Sequence, residues 1–150
     1  MRFGRLALAV TLLACTSATS AADGFIALQS PYDVEMTVQR LEQQVAKRGL
    51  NIFVRIDHAA GAAKAGLTLR PTTLLVFGNP QGGTPFMLCE QTVGIDLPLK
   101  ALVWEDASAQ TWLGYDDPAF IAKRHDVSKC PVVEKLQRTL ESIARDTVIQ

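Results

Sequence analysis

Residues 72–77, TTLLVF, are the segment that most constrains the fold, because this short run is apolar on both of its faces. Such a run predicts a central strand that is covered on both sides, whereas a half-exposed strand alternates apolar and polar residues. The segment leads directly into residues 78–85, GNPQGGTP, a stretch rich in the residues that end strands and form turns. The chain must therefore build a sheet that contains this strand and leaves it at Gly78.

Two amphipathic helices flank the strand region. After Asp33, a suitable N-cap, apolar residues recur at spacings of 4, 3 and 4, and Gly49 is suited to the left-handed position after the helix. The second helix begins near Pro131 and has spacings of 3, 4 and 3. The first series is Val34, Val38, Leu41 and Val45, and the second is Val133, Leu136, Leu140 and Ile143.

Further strands are predicted at 24–29, at 50–57 and at 99–105 with 111–115, the last two as a hairpin. In 50–57, Leu50, Ile52, Val54 and Ile56 are expected on one face of a half-buried strand. The element order is strand–helix–strand–strand–hairpin–helix. We expect an α+β fold in a single domain, with a mostly antiparallel sheet and the helices packed on one face.

The N-terminus has the layout of a secretory signal peptide. Arg2 and Arg5 precede a short apolar run, and small residues lead to a cleavage site after Ala22. This predicts a signal peptide over 1–22, a mature domain over 23–150 and a periplasmic location. The alternative is a lipoprotein anchored through Cys15, since LLAC resembles the motif for lipidation.

The charge balance excludes some partners. The chain has 15 Lys and Arg against 15 Asp and Glu, with no basic cluster to follow a phosphate backbone, so no nucleic-acid partner is expected. No second apolar segment approaches the length needed to span a bilayer. Membrane attachment is expected only if Cys15 is lipidated.

Cys89 and Cys130 remain as a pair if Cys15 leaves with the signal peptide. In an oxidising compartment an even pair suggests a disulfide. Two separate buried thiols, or one reactive thiol at the helix start near Pro131, are the alternatives that the spacing leaves open. A reactive cysteine paired with His58 would allow a thiol-dependent or hydrolytic enzyme, although catalysis is the less favoured expectation.

The GNPQGGTP stretch has the Gly78 to Gly83 spacing of a nucleotide-binding loop, but Thr84-Pro85 replaces the essential Lys-Ser/Thr pair. No nucleotide cofactor is therefore expected. Thr84 and Pro85 read as the N-cap and first residue of a short helix. Either free N–H groups there hold a small anion, or the stretch is a turn in which Gly82 and Gly83 supply positive φ.

His58 ends a predicted strand, and a small-residue segment follows it. With His125 far away in the sequence, the histidines lack the spacing of a metal site, so no metal is expected. We expect strand ends to gather a ligand-binding site for a small anionic or apolar molecule. Its predicted residues are His58, Gly78, Asn79, Gly83, Thr84 and Tyr115.

Three stretches carry a family resemblance: NIFVRIDHAAGAAKAGLTLRPTTLLVFGNPQGGTPFM, IDLPLKALVWED and WLGYDDPAFIAKRH. Together they resemble the family called domain of unknown function 302, over about residues 30–145. The resemblance implies a compact sandwich similar to TATA-binding-protein-like folds, often packed as a homodimer, and no established activity. The expected role is non-catalytic binding of a small ligand or a partner, with a self-associating scaffold as an alternative.

Overall fold

The computed structural model describes residues 23–149, so the predicted signal peptide and Cys15 lie outside the described residues. Its strands are β1 (Phe25–Ser30), β2 (Asn51–Asp57), β3 (Thr72–Gly78), β4 (Leu99–Glu105) and β5 (Thr111–Asp116). Its helices are α1 (Val34–Lys47), α2 (His58–Lys64), α3 (Pro80–Cys89), α4 (Pro118–Arg124) and α5 (Val133–Val148), with a 3-10 turn at Gln91–Ile95. The predicted α+β class is confirmed.

The five strands form one antiparallel sheet in the order β1-β5-β4-β3-β2. The central strand of the sheet is β4, with β3 between it and the edge strand β2. Residues on one face of the sheet, such as Leu75, Phe77 and Leu113, are almost completely buried. They pack with the apolar stripes of α1 and α5, so the predicted packing of helices on one face is confirmed.

Helix α1 begins and ends where its sequence predicts. The Asp33 carboxylate accepts the Met36 N–H at 2.7 Å, and Gly49 has a φ of 67° after the helix. The Gly49 and Leu50 N–H groups donate to the carbonyls of Ala46 and Val45, which satisfies the last turn. Local chemistry therefore determines this helix at both ends.

The predicted alternation of β2 is wrong. The register shifts between Ile52, which pairs with buried Phe77, and Val54, which pairs with Val76. This β-bulge places Val54 and Ile56 on the face away from the helices, while Arg55 lies on the helix side. There Arg55 donates to Glu35 of α1 at 2.5 Å. All seven residues of this edge strand are exposed rather than half-buried.

The other face of the sheet carries apolar side chains and lies opposite the face on which α1 and α5 pack; we call it the open face. Its apolar side chains are Phe25, Val54, Ile56, Leu74, Val76, Leu102, Trp104 and Trp112. The Trp104 and Trp112 rings stack with centroids 6.4 Å apart, and Phe25 lies 5.9 Å from Trp104. Helices α1 and α5 therefore cover only one of the two apolar sides of β3.

Candidate ligand-binding site

The glycine-rich stretch after β3 is a helix rather than a loop. Helix α3 begins at Pro80, and the Asn79 side chain caps it by accepting the Gly82 N–H at 2.8 Å. The predicted N-cap at Thr84 is wrong, and Pro85 lies inside the helix instead of at its first position. Both Asn79-Pro80 and Thr84-Pro85 suit a helix start. The helix begins at the earlier pair because β3 already ends at Gly78.

This geometry removes most of the predicted anion cradle. Pro80 has no N–H, Asn79 accepts the N–H of Gly82, and its carbonyl accepts that of Gly83 at 3.1 Å. The helix start therefore leaves at most the Gln81 N–H for a ligand. The alternative expectation also fails, because Gly82 and Gly83 are helical and do not have positive φ.

The glycines instead help to shape a cavity. A cavity of about 720 Å³ lies where α3, the segment before β4 and α5 meet, and Gly78, Asn79, Gly82, Gly83 and Thr84 all line it. A Cβ atom added at Gly83 would meet only Leu97 Cδ1, at 3.7 Å. The missing side chains thus leave space between α3 and its neighbours. This volume is in the range of small-molecule sites.

The lining of the cavity contains two chemical groups of residues, which we call the apolar wall and the cationic wall. An apolar wall is built by Leu50, Phe53, Met87, Leu97, Leu99 and Leu136. A cationic wall is formed by Arg48, Lys135 and Arg138, with Thr139 and Ser142 beside them on α5. Among the lining residues of the described chain there is no Asp or Glu. The site therefore combines apolar surface with positive charge.

Two of the three cations are already paired. Arg48 donates to Asp146 at 2.5 Å and to Ser142 at 2.6 Å, and Arg138 pairs with Glu134 one helical turn away. Donation from Arg48 holds the pKa of Asp146 below its usual range. Lys135 has no ion pair among residues 23–149. It is the cation that a ligand can reach without breaking an existing ion pair.

His58 and Tyr115 do not join this site, so the predicted convergence is wrong. Strand β2 runs antiparallel to β3, so Asn51 pairs with Gly78 while Asp57, just before His58, pairs with Thr73. Six residues of strand separate the two ends by roughly 20 Å. Tyr115 is buried on β5 and lines a separate cavity of about 250 Å³ with Asp117 and Glu141.

Cys89 and Cys130 form a disulfide in the structure, with Cα atoms 6.0 Å apart and a sequence separation of 41. Both sulfurs are therefore bonded to each other, so neither cysteine has a free thiol for the hypothesised thiol–imidazole pair with His58. The bond joins the end of α3 to the segment that leads into α5. It thus links two of the elements that surround the cavity.

A second polar cluster was missed in the sequence analysis. His125 lies between Asp96, with Nε2 to Oδ2 at 2.7 Å, and Thr92, with Nδ1 to Oγ1 at 2.9 Å. The order hydroxyl–imidazole–carboxylate resembles a hydrolytic triad, but the Thr92 hydroxyl is also 3.0 Å from the Glu90 carboxylate, to which it donates. Neither Thr92 nor His125 lines either cavity described here. The cluster therefore serves to join α4 to the 3-10 turn.

No group of three or more His, Cys, Asp or Glu residues suited to a metal ion occurs in the described part of the chain. Over residues 23–149, every helix is too short or too polar to cross a bilayer.

The family model described as "Domain of unknown function DUF302" matches residues 26–143. The chain belongs to this family. A solved DUF302 structure, titled an uncharacterized conserved protein from Bacillus stearothermophilus, superposes with a TM-score of 0.76 at 18% identity. The match covers 84% of this chain and 99% of that one, and at this identity it supports the fold alone.

Curated relatives of this DUF302 chain carry a different kind of name. A protein named "Fluoride-specific ion channel FluC 1" from Brucella suis is 46% identical over 104 residues, which is 69% of this chain and 41% of that protein. The protein of the same name from Brucella abortus matches equally, over 38% of its length. The chain therefore spans about two fifths of the length of these relatives.

Proposed function

We propose that this chain is a non-catalytic binding protein whose ligand is a small molecule held in the cavity between α3 and α5. The observation that carries the proposal is the cavity itself, about 720 Å³ with a mostly apolar lining and a few convergent polar groups. Such a combination is the usual anatomy of a small-molecule site. The engaged cysteines and the remote position of His58 argue against the alternative of thiol catalysis.

A neutral fluorescent probe, N-phenyl-1-naphthylamine, tests this proposal. Saturable binding with one site per chain is expected, and Gly83→Leu should abolish it because the new side chain enters the cavity. Gly61→Leu is the matched control, since Gly61 is an exposed helical glycine with open space around it. Equal binding by the wild type and Gly83→Leu, or no binding by the wild type, would contradict the proposal.

A second candidate role is self-association through the open face. This face carries a tryptophan pair and aliphatic side chains, and Val54 and Ile56 remain 43% and 38% exposed. Five strands of about 20 Å length cover roughly 500 Å² per copy, so two copies would bury about 1,000 Å², near the lower limit for a specific interface. We therefore propose a homodimer that packs open face to open face.

Light scattering coupled to gel filtration tests the homodimer. The wild type should elute as a dimer and Ile56→Lys as a monomer, because a lysine that the apolar face of a second copy covers cannot keep its hydration. Leu88→Lys is the control, since Leu88 is 81% exposed on α3 and lies outside the open face. A monomeric wild type at micromolar concentration would exclude this interface.

The channel names of the Brucella relatives suggest a setting for the domain. Within residues 23–149 no helix could cross a bilayer, so we propose that channel activity in those relatives belongs to the rest of their chains. The DUF302 domain would then work beside a membrane channel. Deleting the gene should sensitise the native host to fluoride, and unchanged growth at every fluoride concentration would contradict this proposal.

Export to the periplasm remains part of the proposal. It is supported by the signal-peptide pattern before Asp23 and is compatible with the disulfide between Cys89 and Cys130. Mass spectrometry of the protein from its native host should find an N-terminus at Asp23. A lipid-modified N-terminus at Cys15 would show the anchored alternative instead, and an intact Met1 would contradict export.

A further inference from the structure

We propose that the cavity selects amphiphiles with a single negative charge, such as alkyl carboxylates, and binds their anionic end through Lys135. This inference rests on the proposed function, since it assumes that the cavity is a binding site. It goes further by assigning the ligand class and the residue that recognises it. The argument depends on the charges of the lining, the pairing of those charges and the volume of the cavity.

All charged residues of the lining have the same sign. Arg48, Lys135 and Arg138 are cations, and no carboxylate among residues 23–149 lines the cavity to balance them within it. Their partners, Asp146 and Glu134, lie outside the lining. A cationic ligand would meet repulsion here and a neutral one would gain nothing from this wall. The cavity therefore favours an anion.

The existing ion pairs of the cavity's cations indicate that the ligand carries one negative charge rather than two. Arg48 is held by Asp146, Ser142 and the Gln44 carbonyl, and Arg138 is held by Glu134. A ligand would have to break these pairs to use either guanidinium. Lys135 can instead turn its ammonium group toward an anion without such a loss, because no ion pair within the described residues holds it. One available cation suits one anionic group.

The apolar wall determines the rest of the ligand. Side chains such as Phe53, Met87 and Leu97 provide surface that is released from water only when apolar groups cover it. Methionine adapts to irregular shapes, which suits a flexible chain. The volume of about 720 Å³ corresponds to roughly two dozen water-sized groups. An alkyl chain of about ten carbons therefore fits with its carboxylate at α5.

Displacement of bound N-phenyl-1-naphthylamine by matched amphiphiles tests the inference. Decanoate, 1-decanol and decylammonium share one chain length and differ in charge. Decanoate should displace the probe at about fivefold lower concentration than decanol, the scale of a partly exposed ion pair, and decylammonium should be weakest. Lys135→Gln should remove the preference for decanoate over decanol while the probe still binds.

Two further variants separate Lys135 from general charge effects. Lys123→Gln removes an exposed lysine that does not line the cavity and should leave the preference unchanged. Arg138→Gln should reduce it less than Lys135→Gln because Glu134 already pairs with that arginine. Equal displacement by decanoate and decanol, with probe binding still sensitive to Gly83→Leu, would overturn the ligand class and leave the proposed function standing. Probe binding that ignores Gly83→Leu would overturn both.

Discussion

The Arg48 guanidinium at the end of α1 lies 2.5 Å from the Asp146 carboxylate near the end of α5. The same guanidinium donates to Ser142 of α5 and to the carbonyl of Gln44 in α1. One side chain therefore joins the two main helices at the edge of the cavity. Its charge is directed to Asp146, which leaves Lys135 as the cation available at the cavity.

This pair predicts a specific response to acid. The Arg48 hydrogen bond lowers the pKa of Asp146 from its ordinary 3.8, so the folded state binds a proton less readily than the unfolded state. The stabilisation is therefore present above about pH 4 and is lost as pH falls through the lowered folded pKa. Thermal unfolding against pH should show Asp146→Asn less stable than wild type at neutral pH, with the difference shrinking in acid. A pH-independent difference would contradict this.

The disulfide predicts a large loss of stability on reduction. Closing a loop between cysteines with a sequence separation of 41 corresponds to about 4 kcal/mol of unfolding free energy by chain entropy. In urea unfolding, the double variant Cys89→Ser/Cys130→Ser should unfold at lower urea than the oxidised wild type. Reductant should shift the wild type to match the variant. Identical midpoints with and without reductant would show that the bond contributes nothing.

The observed start of α3 predicts that alanine substitutions at its two candidate N-caps affect stability differently. Asn79→Ala removes the side chain that accepts the Gly82 N–H and should cost about 1 kcal/mol. Thr84 is an exposed residue inside the helix, so Thr84→Ala should be neutral or slightly stabilising. Chemical denaturation of both variants checks the difference. A larger loss for Thr84→Ala would mean that the helix begins at the later position.

A side chain added at Gly83 should stabilise the fold and reduce the volume of the cavity. Gly83→Ala should raise the unfolding free energy by about 0.5–1 kcal/mol, because alanine favours a helix and its Cβ meets only Leu97 Cδ1 at 3.7 Å. Gly82→Ala should gain less, since its Cβ would lie 3.3 Å from Asn79 Oδ1. Urea unfolding of the two variants measures both values. A destabilised Gly83→Ala would contradict the packing around α3.

Burial of Tyr115 predicts a loss of stability at alkaline pH. Desolvation, together with the nearby Glu141 and Asp117 charges, raises the pKa of this phenol to about 12. The unfolded state then ionises first, so the contribution of Tyr115 is intact below pH 10 and is lost as pH rises toward 12. Phenolate absorbance should show one of the two tyrosines titrating late. In Tyr115→Phe this late step should disappear, and its persistence would assign it to the other tyrosine.

The sequence alone was sufficient for features that depend on neighbouring residues. Asp33 caps α1, and the 99–105 and 111–116 strands pair as a hairpin. These outcomes follow from hydrogen bonds and side-chain periodicity within a few residues. The start of α3 was predicted wrongly, since Asn79-Pro80 and Thr84-Pro85 both suit a helix start and local patterns do not say which pair the helix uses.

Only the tertiary structure decided where the site lies. The antiparallel pairing of β2 with β3 puts His58 and Asn79 at opposite ends of the sheet, although both are next to strand ends in sequence. The polar stripe of α5 that contains Lys135 and Ser142 looks like an ordinary solvated face until α3 is placed opposite it. A cavity is a property of surfaces that meet from distant parts of the chain. Its position therefore follows from the packing of α3, α5 and the sheet, which local sequence patterns do not specify.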